Sequence, residues 1–239
     1  MKKSALKRAC LISFLFLLIT LSGFGQRSKL LNEPNHDDKA IHFGFTLGLN
    51  VMNFVIHNNY ASYQTDSLVA DISQPIPGFH IQIITNYRLG EYFDLRFLPG
   101  ISFGQRNFIF YKGKNNQIEN DKQRIESNYL EFPLLLKYKA KRLNNFRPYV
   151  ITGGNVRVDL AKTFSEDDGI YMDLKLLNVF YEVGAGIDFY LPYFKFSTEL
   201  KFSFGFNNAL NKRNTSVPKY QNSIERLNST LIMLSFHFE

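Results

Sequence analysis

The sequence predicts an all-β fold, an eight-stranded antiparallel up-and-down transmembrane β-barrel. Three observations predict it. Eight segments alternate apolar and polar side chains with period two, the connections between them alternate short and long, and the amino terminus reads as an export signal.

Composition sets the frame. The chain has 239 residues, 45% of them hydrophobic, enough for one domain of ordinary size. Charged residues make up 21%, too few for a disordered charged tail or a coiled coil. Aromatic content is 15%, with 24 Phe and 13 Tyr but no Trp. Mean hydropathy is -0.18, well below what a bundle of membrane helices would give. Many aromatics at near-neutral hydropathy point to strands with one oily face and argue against a helix-rich soluble enzyme.

At the amino terminus Lys2, Lys3, Lys7 and Arg8 precede the apolar run from Cys10 to Leu21, followed by Ser22, Gly23, Phe24, Gly25 and Gln26. This is a positive region, a short apolar region and a small-x-small site, so residues 1–25 are expected to be a signal peptide cleaved after Gly25. The apolar run is too short to cross about 30 Å of hydrocarbon. Cys10 sits at its start, away from the cleavage site where a lipid would attach, and it is the chain's single cysteine. Disulfides, zinc-thiolate sites and a cysteine nucleophile are therefore excluded from the mature protein. Loss of the signal removes four basic residues from a net charge of +7, and no basic stripe is interleaved with stacking aromatics, so nucleic acid is not an expected partner. Residues 26–41 are polar and irregular, a short leader before a barrel domain spanning 42–239.

The eight segments follow in order. In His42–Phe54, Phe43, Phe45, Leu47, Leu49 and Val51 share one face against His42, Gly44, Thr46, Gly48 and Asn50. Gly78–Leu89 sets Phe79, Ile81, Ile83 and Tyr87 against His80, Gln82, Asn86 and Arg88. Phe93–Gly104 sets Phe93, Leu95, Phe97, Ile101 and Phe103 against Asp94, Arg96, Gly100 and Ser102. Asn128–Lys139, Pro148–Leu160, Phe180–Tyr190, Phe194–Phe206 and Thr230–Glu239 repeat the pattern, most strictly where Phe194, Phe196, Leu200, Phe202, Phe204 and Phe206 oppose Lys195, Ser197, Glu199, Lys201 and Ser203.

Period alone does not say which face is inside. The joins do: Gly90–Tyr92, Lys141–Arg147 and Leu191–Tyr193 are short, whereas Val55–Pro77 and Asn207–Ser229 are long and polar. Short turns at one end and long loops at the other describe an outer-membrane barrel, apolar face to lipid, with both termini periplasmic. A secreted soluble barrel is the alternative. Eight strands leave a lumen that side chains fill. The inward ionisable residues nearly balance, with Asp94, Glu131, Asp159, Glu182, Asp188 and Glu199 against Arg88, Arg96, Lys137, Lys139, Arg157, Lys195 and Lys201. Buried charge survives only when paired, so the set predicts a salt-bridged plug, not a solute pore. Glycines 44, 48, 100, 104, 184 and 186 are expected to relieve crowding inside or to permit bends.

His42, His80 and His237 face inward on neighbouring strands, His42 and His237 near the periplasmic rim and His80 expected near the outer end. A Ser235–His237 pair could be proposed as a nucleophile, but it lacks an orienting acid and an oxyanion site. Glu166, Asp167, Asp168, Gly169 and Asp173 lack the alternating carboxylates and distal Glu of a calcium loop. Phe93, Tyr138, Tyr181 and Phe194 read as an interface girdle, and Lys112, Lys114, Lys122 and Arg124 as a wet basic loop able to meet lipopolysaccharide or a partner. No catalytic, cofactor-binding or metal-ligating residue is assigned, and no cofactor is expected.

The stretches HFGFTLGLN, LRFLPGISF, YLEFPLLLKYK, RPYVITGG, YEVGAGIDFYLPYFKFSTELKFSFGFNNAL and IERLNSTLIMLSFHF resemble the PorT (SprT) family, from about Asp38 to the end of the chain. YLEFPLLLK and RPYVITGG look like many members of the wider outer-membrane β-barrel superfamily. LPYFKFSTELKFSFGFNNAL and IERLNST look closer to PorT itself. The resemblance implies a non-enzymatic outer-membrane component of the type IX (Por) secretion system, which in some bacteria also supports gliding motility. It implies a role in the export of proteins with carboxy-terminal secretion domains; since a plugged barrel cannot itself pass a folded cargo, the expected role is that of a scaffold that docks other components through its long loops or its periplasmic rim. Its expected partners are outer-membrane lipid, lipopolysaccharide and other secretion-system proteins, and it carries no catalytic motif. Two other functions stay open: a generic barrel binding through its extracellular loops, and a lipid-modifying enzyme.

Overall fold

A computed structural model describes residues 30–59, 68–72, 76–112, 117–161, 173–211 and 222–239. The expected signal peptide lies outside these residues. Asn32–Glu239 forms one compact unit.

The strands are β1 Ile41–Asn58, β2 Leu68–Ile72, β3 Pro77–Arg88, β4 Phe93–Phe97, β5 Gly100–Lys112, β6 Gln117–Lys139, β7 Phe146–Asp159, β8 Asp173–Leu174, β9 Leu177–Tyr190, β10 Lys195–Gly205, β11 Leu210–Asn211 and β12 Ile224–Phe238. All pairings are antiparallel, and the long strands close a ring in which β1 joins β12 on one side and β3 on the other. β4 and β5 act as one wall strand interrupted at Leu98-Pro99. Proline has no N–H for the ladder, yet the Pro99 carbonyl still accepts from Ile83 N at 2.9 Å. The ring therefore has eight walls.

Register fixes the tilt. Followed one way, Leu136 is level with Leu95, Tyr87 and Ile41; the other way it is level with Thr152, Val183, Phe202, Ile232 and Val51. The ring thus closes with an offset of ten residues (51 − 41) on β1, which for eight strands gives a tilt of about 40°.

The burial pattern is that of a soluble protein turned inside out. Phe43 is 68% exposed and Ile83 62%, while Arg96, Arg157, Lys137 and Glu182 are fully buried. Along β9 the outward residues from Leu177 to Phe189 form an apolar band that, at this tilt, stands about 30 Å high. Outward aromatics stack across strands, Phe45 on Phe238 at 4.9 Å and Phe79 on Phe103 at 4.8 Å. Tyr138, expected in a girdle, does stand at a strand end, with Phe93 5.1 Å away, whereas Tyr181 lies within β9.

Several expectations need correction. The strands outrun the alternating segments at the long-loop end, because there the inward face turns apolar and alternation is lost. β1 reaches Asn58, β6 begins at Gln117 instead of 128, and β12 begins at Ile224 instead of 230. The long connections are not plain loops, since β2 pairs with β5 and β8 pairs with β11. β2 also meets β1 through Asn58, whose side-chain amide bonds both N and O of Ala70. The leader is not all free of the barrel either: Asn32–Lys39, with a 3-10 turn at His36–Asp38, packs on the short-turn mouth. Of the acidic loop cluster only Asp173 is described, and Lys114 and the side chains of Lys112, Lys122 and Arg124 lie outside the described residues.

Candidate functional site: a sealed lumen

Strand alternation turns every second residue inward, and the lumen is filled layer by layer. At the short-turn end Arg96 donates to Glu239 Oε1 at 2.6 Å, and Lys195 Nζ lies 2.7 Å from Glu239 Oε2. Lys139 pairs with Asp94 at 2.6 Å, and Asp94 also accepts from Asn86. One layer on, Lys137 donates to both Asp188 oxygens at 2.8 Å, its ammonium 3.6 Å from the Tyr149 ring centroid. Ser197 donates to Asp188 as well, at 2.6 Å. The Tyr149 hydroxyl donates to Glu199 at 2.8 Å.

Midway, Arg157 is the hub. Its Nε lies 2.9 Å from Glu131, Nη2 is 2.7 Å from Glu182, Nη1 donates to Ser203, and the guanidinium covers Phe180 at 4.2 Å. Glu182 takes a second cation, Lys201 at 3.0 Å, and Glu131 accepts from Gln82 at 2.9 Å. Beside the charges lies an apolar patch of Ile84, Leu98, Leu135, Tyr149 and Ile151. Each carboxylate in these layers meets a cation or a donor, the condition under which buried charge is tolerated.

Each end carries a further layer of described side chains. At the long-loop end Arg106 donates to Ser229, Ser127 and the Tyr129 hydroxyl, and sits 3.8 Å over Phe54. Above it Phe54, Phe108, Phe110, Leu174, Leu210 and Leu227 belong to one buried apolar cap, with β8 and β11 supplying Leu174 and Leu210. At the short-turn end Asp37 accepts from the Tyr190 hydroxyl at 2.8 Å and faces Arg147 at 3.2 Å, while His36 stacks on His42 at 4.3 Å. Burial would raise the Asp37 carboxyl, but the Tyr190 hydroxyl and Arg147 outweigh it and hold it below its ordinary range. Burial, helped by Lys195, pushes the His36 imidazole down to about 4.

The family is then readable from comparison. Residues 24–211 match the family model described as outer membrane protein beta-barrel domain. The chain belongs to this family. It is an outer-membrane β-barrel protein of the bacterial type, and the outward apolar band is its membrane face. By sequence, no curated protein matches the chain. Among solved structures the barrel is similar to the outer membrane protein OprG from Pseudomonas aeruginosa, at 12% identity and a TM-score of 0.40 over 83% of this chain and 91% of that one. It is also similar to Neisserial surface protein A, at 10% identity and 0.38 over 83% and 98%. Ail, the attachment invasion locus protein of Yersinia pestis, follows at 9% and 0.35 over 84% and 98%. The family match and the closed strand ring carry the assignment, not these distant likenesses.

Within the outer-membrane barrel the histidines fall differently from the sequence expectation. His80 is not at the outer end. β3 is short there, so His80 lies level with Gly48 and bonds Ser235 at 2.9 Å. Gly48 makes this fit, since a Cβ on it would stand 2.3 Å from the His80 ring. Ser235 is thus not the partner of His237, which instead meets Thr46 Oγ1 at 2.7 Å and Glu199 at 3.4 Å. Thr46, His237 and Glu199 have the connectivity of an acyl-transfer triad, but such a triad needs a substrate carbonyl against its hydroxyl. All three side chains are enclosed between the plug layers, so the arrangement clamps β1, β10 and β12 together.

The lumen charges anticipated from sequence are inward except Arg88, which is half-buried at the turn end, bonded to the Gly90 carbonyl and to Asp38. Sequence reasoning missed Arg106, Arg147, Glu239 and Asp37. Arg106 and Arg147 continue the inward parity of β5 and β7 just beyond the alternating segments, and Glu239, two residues past inward His237 and just beyond the end of β12, shares its face. Among the described residues no group of three or more His, Cys, Asp or Glu side chains is placed to hold a metal ion.

Proposed function

We propose that this protein is a closed, non-enzymatic scaffold of type IX protein secretion. Residues 1–25 are removed on export, both termini and the short turns face the periplasm, and the capped long-loop end faces outward. The sealed lumen carries the reading. A barrel crossed, among the described residues, by the layers Arg96–Glu239–Lys195, Lys137–Asp188 and Glu131–Arg157–Glu182–Lys201 is filled where a solute, and still more a folded cargo, would have to pass. Its contribution to export is then made by its surfaces. The secretion assignment itself is supported by the resemblance of LPYFKFSTELKFSFGFNNAL and IERLNST to the PorT family. Its surroundings are outer-membrane lipid, lipopolysaccharide and other secretion proteins, and in a gliding bacterium its loss would also stop gliding.

Clean deletion of the gene, followed by blotting for cargo with carboxy-terminal secretion domains, tests this. Unprocessed cargo held in the periplasm and released by complementation is the expected result. Normal export would overturn the secretion role and leave a barrel that binds through its long-loop end.

A further inference from the structure

The short-turn mouth carries three arginines, Arg88, Arg142 and Arg147, for which no barrel-wall carboxylate among the described residues forms an ion pair. Arg147 is fixed by two backbone carbonyls, Ala140 O at 2.6 Å and Glu91 O at 2.8 Å, which leaves Nη1 for Asp37 at 3.2 Å. Arg88 is fixed by Gly90 O and meets Asp38 at 3.3 Å. Arg142 stacks 3.6 Å over Tyr190 and donates to the backbone carbonyls of Asn32 and Glu33. The nearby wall cations behave otherwise, because Lys139 and Lys195 have Asp94 and Glu239 on the barrel itself. Among the described residues, the carboxylates that Arg88 and Arg147 meet come from the strap 32–39. The strap lies outside the strand ladder and holds to the wall through side chains and carbonyls, including Asn32 N to Asn145 Oδ1 and Asn32 Nδ2 to the Tyr190 carbonyl. Glu33 within it takes a left-handed φ of 47°, a conformation that L side chains rarely adopt.

We infer that the short-turn mouth is a receptor for an acidic, extended protein segment, and that the strap with Asp37 and Asp38 is its exchangeable occupant in cis. Guanidinium groups held by carbonyls on one side and left with free N–H donors on the other are pre-organised for carboxylates. A tethered strap has an effective concentration of order millimolar, so a partner in trans gains access when the strap is weakened or drawn away. This rests on the scaffold reading for its biology, since that reading turns this end toward periplasmic partners, but binding itself is measurable without it.

The test uses the full barrel in detergent and a fluorescein-labelled peptide of the strap's own sequence, residues 32–40 (NEPNHDDKA). The barrel carrying Asp37→Asn and Asp38→Asn should bind the peptide at least about tenfold more tightly than the wild type, a shift of 1.4 kcal/mol. Arg147→Ala in that background should abolish the gain, with Arg88→Ala as a second, more exposed variant, and heat-shift on a gel should confirm that each barrel is folded. A peptide with both aspartates replaced by asparagine should not bind. No binding to the weakened-strap barrel, or binding indifferent to Arg147 and to the peptide's carboxylates, would overturn the inference. Displacement of the peptide by phosphatidylglycerol micelles would overturn it in favour of a lipid-headgroup site. None of these outcomes bears on cargo export, so failure here and failure of the secretion role are separable.

Discussion

Arg157→Ala is the sharpest perturbation of the plug. The side chain is fully buried and holds Glu131 at 2.9 Å, Glu182 at 2.7 Å and the Ser203 hydroxyl at 2.8 Å. Its removal leaves Glu182 with Lys201 and Asn155, but leaves Glu131 hydrogen-bonded to the Gln82 amide and without the cation that lies 2.9 Å from it. Breaking a buried pair by deleting one member costs about 3–5 kcal/mol, because the surviving charge stays desolvated. The Phe180 face that the guanidinium covered also loses its packing. Urea titration in phospholipid vesicles, read by the gel shift between folded and unfolded barrel, should show a loss of that size. Adding Glu131→Gln should restore part of it, since the second change removes the stranded charge, and the double-mutant cycle isolates the coupling. A loss below about 1 kcal/mol, the range of exposed pairs, would refute the view that the lumen is a dry salt-bridged plug.

Other consequences follow from the same geometry. Leu200→Arg, placed midway along the outward row of β10, should destabilise the barrel in a bilayer by about 2–4 kcal/mol; tolerance of this change in vesicle refolding would contradict a lipid-facing wall. Thr46→Ala should cost about 1–3 kcal/mol by orphaning the His237 nitrogen; under the proposed secretion role, cargo export should then fall only in proportion to the amount of barrel, and loss of export at normal barrel levels would point to chemistry at Thr46. The strap should loosen on acidification. His36 is held neutral, at about 4 against an ordinary 6.5, and Asp37 is also depressed, so both contributions are present above the unfolded values and lost as pH falls. Protease cleavage within 32–39 should therefore rise between about pH 6.5 and 4, and a flat profile would contradict the docked strap.

The ring was legible because period two is enforced wherever one face meets lipid and the other a polar lumen. Residues such as Phe196, Leu200 and Phe202 against Ser197, Glu199 and Lys201 leave no other register. The paired charges were legible for the same reason. What stayed hidden lies where that contrast fails. Phe108, Ile109, Phe110 and Tyr111 are apolar on both faces because the inner face meets the cap, so the run carries no alternation and the extent of β5 was lost, and Arg106 with it. The strap was read as a leader because NEPNHDD has no periodicity; its order comes from Arg147, Arg142 and Tyr190, far along the chain. His80 was misplaced because strand lengths, which set its height, do not show in a local pattern.

The central claim is that this outer-membrane barrel is closed. Purified protein reconstituted into planar lipid bilayers should give no stable conductance steps above the bare membrane, at neutral pH and with the plug and cap intact. Reproducible steps that persist after removal of contaminating porins, and that vanish when Arg157 or Arg96 is replaced by a bulkier apolar side chain, would contradict it and make the lumen a channel.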